Sequence, residues 1–301
     1  MKMQKKKKTY PLDQSPLYKL ANHRRLAELL RLEVRVIHQL ARAQRAAYSI
    51  WKDTNDKGKV RTIENPFPRL KRAQSRIATL LALIEPPDFL TCPVKGRSYV
   101  SNARVHIGAL QIVTLDVTAY FQSTTWNRVY WFFHKRMMTS SDVAWTIASL
   151  ATLEGHLPTG SPLSPILAYF AHQDTWLSVQ RRVRDAGCKI TLYMDDLTLS
   201  GDVVPDGLIW RVKQDIHSVG LRLNNGKQRR YGGGEALVTG SIVTSTGLRP
   251  TKGSHLKLKM LLDECNNTRD SDARTILLRR IRGLKAQHKQ IQNPPKPVDP
   301  N

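Results

Sequence analysis

The stretch Leu192-Tyr193-Met194-Asp195-Asp196-Leu197-Thr198-Leu199 sets two adjacent acids between two short apolar runs. Successive side chains of a strand point to opposite faces, so an unbroken strand would turn one of these carboxylates towards the core. Burying an unpaired carboxylate is costly. We therefore predict a hairpin whose turn carries Asp195 and Asp196 at an exposed edge. The alternative is an ordinary solvated turn.

A third acid stands at the end of an apolar run further upstream. Residues 109–117 (ALQIVTLDV) predict a buried strand that ends near Asp116. Asp116 then either lies at the edge of a cleft, held by the sheet, or caps the next helix. The order of strand, helices and hairpin predicts a βαββ palm of the ferredoxin-like kind, which would bring Asp116 beside Asp195. Three such carboxylates suit two Mg²⁺ ions, the arrangement used for phosphoryl transfer.

The charge of the chain points to a polyanionic partner. Its 301 residues contain 48 Lys and Arg against 24 Asp and Glu, a net charge of +24, and nucleic acid is the first partner to consider. We expect no membrane association, because we find no apolar run of spanning length and no lipid-facing amphipathic stripe. The basic start lacks the apolar core of a signal peptide. The cysteines are far apart, which predicts reduced thiols of a cytoplasmic protein: Cys92, Cys188 and Cys265.

The N-terminal part of the chain predicts helices followed by a basic hairpin. Ser15-Pro16 is a capping residue followed by proline and predicts a helix start. Leucines at helical spacing continue as two helices to about Trp51. Residues 53–63 predict a turn and a short strand that carries Arg61. This hairpin either closes over a triphosphate or is an ordinary solvated hairpin.

Two later segments also suggest binding elements. Residues 157–165 (LPTGSPLSP) form a loop in which Gly160 permits close backbone approach and Ser164 is placed to cap the following helix. A helix N-terminus attracts phosphate, although the same residues make an ordinary loop and cap in most proteins. Residues 237–243 predict a strand, and 252–284 a basic helical region.

Taken together, these motifs resemble those of the retron (bacterial) reverse transcriptases. Tyr193-Met194-Asp195-Asp196 is similar to the Tyr-X-Asp-Asp signature of reverse transcriptases, and Asp116 in LDVTAYF to their first catalytic motif. The 157–165 loop resembles their Pro-Gln-Gly loop and Ser-Pro helix start. Two further motifs resemble signatures of the retron branch, namely Asn102-Ala103-X-X-His106 and Val238-Thr239-Gly240. The resemblance runs from about residue 15 to residue 285.

The resemblance implies an α+β right-hand polymerase fold with fingers, a ferredoxin-like palm and a helical basic thumb. The implied domains are a basic N-terminal arm at 1–14, N-terminal helices and fingers at 15–105, a catalytic palm at 106–235, the palm end and RNA-binding thumb at 236–290, and a disordered tail at 291–301.

The same resemblance assigns roles to individual residues. The implied ligands of two Mg²⁺ ions are Asp116, Asp195, Asp196 and the carbonyl of Val117. Phe121 matches the position that excludes a ribose 2′-hydroxyl, and the other implied nucleotide-binding residues are Arg61, Gly160 and Lys227. The implied contacts to a structured RNA are Asn102, His106, Val238, Thr239, Gly240, Lys257, Arg279 and Arg280.

The implied activity is that of an RNA-directed DNA polymerase that uses deoxynucleoside triphosphates. It would copy part of its own structured non-coding RNA into branched multicopy single-stranded DNA, starting from a 2′-hydroxyl, in anti-phage defence with an accessory effector protein. One departure is Thr159, where the family usually has Gln, which leaves the fidelity role of that residue in doubt. The alternatives are a reverse transcriptase of the group II intron or diversity-generating type, and a non-catalytic RNA-binding scaffold.

Overall fold

The computed structural model describes residues 9–54, 58 and 60–293. Residues 1–8 of the predicted arm, 294–301 of the predicted tail and 55–57 of the turn predicted at 53–58 lie outside the described residues, as does Lys59. In the part that is described, no helix is both long enough and apolar enough to cross a membrane.

The described chain contains both helices and strands, and we number each kind in chain order. The helices are α1 His23–Leu30, α2 Val34–Ala43, α3 Pro68–Leu81, α4 Tyr99–Arg104, α5 Tyr120–Ser123, α6 Trp126–Trp131, α7 Ser141–Ala151, α8 Ser164–Ala171, α9 Gln173–Asp185, α10 Asp206–Ser218, α11 Lys252–Asn267 and α12 Ser271–Gln292. The strands are β1 Tyr48–Thr54, β2 Val60–Pro66, β3 Leu90–Cys92, β4 Gln111–Asp116, β5 Lys189–Tyr193, β6 Asp196–Gly201, β7 Arg229–Gly232, β8 Ala236–Val238, β9 Ser241–Val243 and β10 Leu248–Pro250.

The chain divides into two compact units, each assembled from separate stretches of sequence. The first unit takes the residues up to Asp88 together with Val117–Val179 and Val212–Leu223. The second takes Phe89–Asp116, Gln180–Arg211 and the residues from Asn224 onwards. The predicted α+β class is confirmed by this mixture of a helical core and sheets.

The first unit is mainly helical and carries a two-stranded antiparallel hairpin. Strand β1 pairs with β2 from Tyr48↔Pro66 to Thr54↔Val60. Helix α7 packs against α2, α3 and α6. The apolar spacing read from the sequence buries one side of each helix, and the largest buried side chains of this unit include Ile37, Ile77, Phe132, Ile147 and Trp176. This core supports the hairpin and the 157–165 loop.

The second unit is built on a five-stranded sheet with the order β3-β5-β6-β4-β7. Strand β4 is antiparallel to both neighbours, β6 and β7, while β5 is parallel to β3. The predicted strand at 109–117 is confirmed at its centre, since β4 spans Gln111–Asp116. One face of β4, β5 and β6 is apolar, with Leu115, Leu192 and Leu197 almost fully buried.

The C-terminal part of the second unit adds a small sheet and two long helices. Strands β8, β9 and β10 form a meander that packs with α4 and with Ile291 at the end of α12. Helices α11 and α12 share an apolar seam formed by Leu261, Cys265, Leu277 and Ile281. The basic helical region predicted at 252–284 is therefore two helices, and the second extends to Gln292.

Three local predictions were wrong for identifiable reasons. Helix α1 begins at His23 because Asn22 accepts a hydrogen bond from the Arg25 backbone, whereas Ser15 holds a turn through the Leu17 backbone. Trp51 lies in β1 rather than in a helix. Ser164 does not cap α8, because its hydroxyl donates to the Pro158 carbonyl. The predicted cysteine thiols are free in the structure.

A fourth correction concerns residues 237–243. They were predicted as one strand, but they fold back as the hairpin β8–β9. Val238 pairs with Ser241, so Thr239 and Gly240 form a two-residue turn in which both have positive φ, +42° and +84°. A single strand cannot accommodate two consecutive residues with this backbone.

Candidate active site

The two adjacent acids lie at the end of the β5–β6 hairpin in the second unit. Tyr193 pairs with Asp196, which leaves Met194 and Asp195 as the turn. The expectation that both acids belong to the turn is right for Asp195 and wrong for Asp196, the first residue of β6. Met194 has a φ of +59°, a backbone that non-glycine residues seldom adopt. Such strain tends to cluster at functional sites.

Asp116 lies beside this hairpin, as the sequence predicted. It is the last residue of β4 and is paired in register with Asp196 on β6. Asp116 is 8% exposed, and its carbonyl accepts a hydrogen bond from the Asn224 backbone at 2.8 Å. The alternative that Asp116 caps the next helix is wrong, because the N-cap of α5 is Ala119. Asp116 therefore lies at the same end of the sheet as Asp195 and Asp196, from which it is distant in sequence.

Lys227 brings a cation to the same end of the sheet. A turn begins at Asn224, whose carbonyl accepts a hydrogen bond from the Lys227 backbone at 3.0 Å. The Lys227 ammonium then donates to Oδ1 of Asp116 at 2.5 Å. About half of the Lys227 side chain stays exposed, against about a tenth of Asp116. The lysine thus closes over a nearly buried carboxylate from the solvent side.

The acids interact strongly enough to shift the ionisation of Asp196. Burial, followed by the negative charges of Asp195 and Asp116, raises the pKa of Asp196 to about 6. Lys227 acts against this rise. The hydrogen bond to Asp116 in turn raises the pKa of the Lys227 ammonium. The site therefore carries more negative charge than one lysine neutralises.

The donor chemistry of the site fits Mg²⁺, which takes hard carboxylate oxygens. The mutual repulsion of the acids is the condition that a bound divalent cation relieves. As the side chains stand, no three His, Cys, Asp or Glu residues within the described ranges are arranged as a metal site. The ammonium of Lys227 is bound to one of the two carboxylate oxygens of Asp116. The carboxylates suit the metal, but their present arrangement is one in which lysine is the counter-ion.

The remaining nucleotide-binding candidates lie in the first unit, together with Val117, whose carbonyl is a candidate metal ligand. Arg61 is exposed on β2 and pairs in register with Asp53 on β1. Phe121 is half-buried on α5, and its ring stacks with the Tyr120 ring at 6.2 Å between centroids. Val117 is buried, and its backbone forms an isolated bridge with Leu223. The roles given to these residues by the resemblance stay predictions.

The 157–165 loop is held against β2 by a group we call the loop clamp, formed by Glu64, His156 and Thr159. The Glu64 carboxylate accepts from the Thr159 backbone at 3.1 Å and lies 3.0 Å from His156 Nε2. The Thr159 hydroxyl donates to the Thr62 carbonyl at 2.7 Å. A β-carbon on Gly160 would lie 2.6 Å from the Glu64 carbonyl oxygen. The close backbone approach predicted at Gly160 is therefore to β2, and Thr159 joins the loop to β2 through its hydrogen bonds.

Asn102 and His106 are fully buried in the second unit, although the resemblance implied contacts with RNA. Nδ1 of His106 lies 2.7 Å from the Ser200 hydroxyl on β6, and Nε2 lies 2.8 Å from the Thr191 hydroxyl on β5. Burial lowers the pKa of His106 to about 3, so the ring is neutral at physiological pH. Side chains in this environment have no surface to offer an RNA, and any part they play in binding it is indirect.

The other RNA-contact candidates are divided between the interior and the surface. Val238 is buried in the cluster with α4, whereas Thr239 is half-buried and Gly240 exposed at the tip of the β8–β9 turn. Lys257 is exposed on α11, and Arg279 and Arg280 are exposed on α12. The turn and these two helices are therefore the accessible part of the predicted RNA surface.

Several residues that shape the site were missed in the sequence. Thr91, Thr191 and Ser200 are almost fully buried and contact Asn102 or His106. The signal for two of them was a polar residue inside a strand expected to be buried, because such a residue needs a partner nearby. Nothing in the sequence marks Thr91. In the first unit, a basic groove between α1, α2 and α3 was also missed; its cationic lining is Arg24, Arg31, Arg69, Arg72 and Arg76.

The chain is similar to several curated retron reverse transcriptases. It is 27% identical to the Retron Se72 reverse transcriptase of Salmonella heidelberg (strain 579083-10) over 179 residues, 59% of this chain and 47% of that protein. It is 28% identical to the Retron Ec86 reverse transcriptase of Escherichia coli, covering 71% and 68% of the two chains. It is 30% identical to the Retron Mx65 reverse transcriptase of Myxococcus xanthus, covering 72% and 55%.

The matched region therefore spans about half to two thirds of the length of these relatives. No protein-family model matches the chain. Among solved structures, the foamy viral protease-reverse transcriptase in complex with an RNA/DNA hybrid aligns with a TM-score of 0.46 and 17% identity, covering 79% of this chain and 27% of that one.

The sequence relatives and the observed strands agree with the motifs around Asp116 and around Asp195 and Asp196. The similarity extends over most of the chain in three of these relatives, well beyond the two acidic motifs. The palm-like sheet carries the strand pairing that those motifs predicted. The chain is homologous to several curated retron reverse transcriptases.

Proposed function

We propose that this chain is an RNA-directed DNA polymerase that works with two Mg²⁺ ions held by Asp116, Asp195, Asp196 and the carbonyl of Val117. The observation that carries the proposal is the register of β4 with β6, which sets Asp116 beside Asp196. The raised pKa of Asp196 supports it, because acids that repel one another at an accessible edge favour a cation. The names of the homologues support the reaction class.

The ions would lower the pKa of the attacking hydroxyl and neutralise the leaving pyrophosphate. The residues of the chain supply the placement. Asp116 and Asp196 are fixed by paired strands, and Asp195 by the strained turn after Met194. Lys227 releases Asp116 and turns its ammonium to the phosphates of the nucleotide, where an ammonium acts as a point charge. The half-exposed side chain of Lys227 has the freedom for this exchange.

The first unit would contribute to selection of the deoxynucleoside triphosphate. Following the resemblance, Arg61 grips the triphosphate and Phe121 contacts the sugar where a 2′-hydroxyl would lie. The exposed position of Arg61 on a hairpin is compatible with that role. Gly160 acts through the loop, since it permits the contact with β2 that the loop clamp completes.

The RNA partner would be a structured non-coding RNA, and the product branched single-stranded DNA primed from a 2′-hydroxyl. A net charge of +24 supports an extended contact with phosphates, and exposed Lys257, Arg279 and Arg280 lie on two helices suited to an RNA stem. The basic groove of the first unit adds a second cationic surface. Following the resemblance, the protein would act in the cytoplasm, in anti-phage defence with an accessory effector protein.

A primer-extension assay tests the polymerase proposal. Purified protein with poly(rA)·oligo(dT), dTTP and Mg²⁺ should extend the primer, and Asp195→Asn should abolish extension. Asp202→Asn is the matched control, because Asp202 is an exposed acid just beyond β6 in the same unit. Extension by Asp195→Asn at the wild-type rate would refute the metal assignment, and so would extension by the wild-type protein in the absence of divalent metal.

Nucleic acid that copurifies with the protein tests the finer proposal. Branched RNA–DNA molecules found by sequencing would support retron-type synthesis. Intron RNA would point instead to a group II type of enzyme, and RNA without DNA to a non-catalytic scaffold.

A further inference from the structure

We infer that Thr239 is a positioning residue: through Asn102 and Thr91 it joins the exposed β8–β9 turn to the β5–β6 hairpin that carries Asp195 and Asp196. The inference rests on the proposed polymerase function. It assigns Thr239 a task apart from any contact with RNA, namely to hold the acidic hairpin in the register that catalysis needs.

The backbone of Thr239 is the first observation. Its φ of +42° is the first of two positive values in the Thr239–Gly240 turn. Turns with this backbone favour Asn, Asp or Gly at that position, and for a β-branched residue positive φ is a true outlier. A strained residue of the wrong type for its turn persists where its side chain is needed. We therefore expect the hydroxyl of Thr239 to make contacts that the protein needs.

That hydroxyl begins a chain of hydrogen bonds that runs from the half-buried turn to buried side chains. It donates to the Tyr99 carbonyl at 3.0 Å and accepts from Nδ2 of Asn102 at 3.2 Å. On its other side, Oδ1 of Asn102 accepts from the Thr91 hydroxyl at 2.6 Å. The Thr91 hydroxyl also lies 2.9 Å from the Leu192 carbonyl oxygen, and its one proton serves one of these two acceptors at a time.

The path ends two residues from the catalytic turn. Thr91 belongs to β3, which pairs with β5 through Leu90↔Leu192 and Cys92↔Tyr193. A shift of Asn102 therefore reaches β5 both through the Thr91 side chain and through the strand pairing. Asn102 is 0% exposed and Thr91 4% exposed, so water does not replace a lost partner without rearrangement.

A second arm from the same helix fixes the hairpin further along. His106 lies just after α4 and bridges Thr191 on β5 to Ser200 on β6. Asn102 and His106 are held by one short helix with a Ser98–Ser101 capping box. Helix α4 is therefore connected on one side to the turn through Asn102 and on the other to both strands of the hairpin.

The functional consequence is a link between an accessible turn and the acids. Gly240 is exposed, so a phosphate backbone can rest on the turn without disturbing the buried path. A ligand that favours the present conformation of Thr239 also favours the present position of the hairpin. Here the coupling follows a described set of contacts rather than proximity alone.

The test compares substitutions that separate the hydroxyl from the turn. In the poly(rA)·oligo(dT) assay, Thr239→Val keeps the shape and loses the hydroxyl; we expect kcat to fall about fivefold, the equivalent of one net hydrogen bond, with KM for dTTP within about twofold. Thr239→Ser should recover most of the lost rate. Thr239→Asn, the residue favoured by the turn, should keep or raise the melting temperature and still lower kcat.

The matched control is Thr246→Val, the same chemical change in the exposed turn between β9 and β10, and it should keep the wild-type rate. Hydrogen–deuterium exchange of the free full-length protein gives a readout apart from catalysis. Peptides covering residues 190–200 should exchange faster in Thr239→Val than in wild type or Thr246→Val.

The outcomes separate this inference from the proposed function. Wild-type kcat and unchanged exchange of residues 190–200 in Thr239→Val would overturn the positioning role and leave the polymerase proposal intact. Absence of extension by the wild-type protein would refute the polymerase proposal, while faster hairpin exchange in Thr239→Val would still support the structural link. A rate that Thr239→Ser does not recover would also count against the hydroxyl path.

Discussion

Replacement of His106 by glutamine should make the protein less sensitive to acid. His106 is fully buried, and burial together with the charge of Lys189 lowers its pKa from 6.5 to about 3. Between these two values the unfolded chain binds a proton at this position and the folded chain does not. Stability contributed by neutral His106 is therefore complete above pH 6.5 and is lost as the pH falls below it.

The size of the effect follows from the two pKa values. A pH of 4.5 lies about 2 pH units below the pKa of the unfolded histidine. Proton binding therefore stabilises the unfolded state, and the free energy of unfolding falls by about 2.7 kcal/mol relative to pH 7.5. Gln carries an amide donor and acceptor but no titrating group. Between pH 7.5 and 4.5 the variant should therefore lose about 2.7 kcal/mol less than wild type, whatever the substitution costs at neutral pH.

Urea unfolding of the full chain at pH 7.5, 5.5 and 4.5, followed by circular dichroism, measures this difference. His217→Gln, measured in the same series, is the control for the loss of a histidine, because His217 is half-exposed on α10. His172, also lowered to a pKa of about 3 by burial, is present in every protein compared and cancels. Parallel curves for wild type and His106→Gln would refute the argument that buried His106 stays neutral.

Three further substitutions have defined outcomes. Gly160→Ala should destabilise the protein by about 1–3 kcal/mol, because the new β-carbon would lie 2.6 Å from the Glu64 carbonyl oxygen. The control Gly207→Ala should not destabilise it, because the space around Gly207 is open. Equal melting temperatures of the two variants would contradict this reasoning. Asp196→Asn should abolish primer extension. In EDTA above pH 6, however, it should stabilise the folded protein by about 1–2 kcal/mol after allowance for solvent screening, and this gain should disappear below about pH 4. A variant less stable than wild type above pH 6 would argue against repulsion among the acids. Lys227→Met removes the cation bound to Asp116, so Mg²⁺ should raise its melting temperature more than that of wild type, and identical shifts would show that Lys227 and the metal do not compete.

The sequence predicted the acidic end of the sheet well because two independent patterns converged there. An apolar run that ends in Asp116 and a pair of acids between apolar runs each limited the strands that could carry them. Their pairing follows once both strands belong to one antiparallel sheet. The basic helices at the C-terminal end were also predictable, since their charge and spacing are local properties.

Burial was the main property that the motifs did not disclose. Asn102 and His106 carry polar side chains that suit RNA contact, yet their partners Thr91, Thr191 and Ser200 are distant in sequence and close only in the folded sheet. The sequence alone does not distinguish a polar side chain that faces a ligand from one that contacts a buried hydroxyl. The positive φ of Thr239 was equally hidden, because threonine is not the residue that such a turn normally selects.

The division into two units has a consequence for biosynthesis. The polypeptide passes from one unit to the other five times, near residues 88, 116, 179, 211 and 223. The five-stranded sheet receives its last strand, β7, only at Arg229–Gly232. Because the ribosome supplies residues from the N-terminus at a limited rate, neither unit has all its segments until translation is well advanced. A nascent chain arrested before Arg229 would expose an unpaired edge of β4, and such an edge favours pairing with other chains and aggregation.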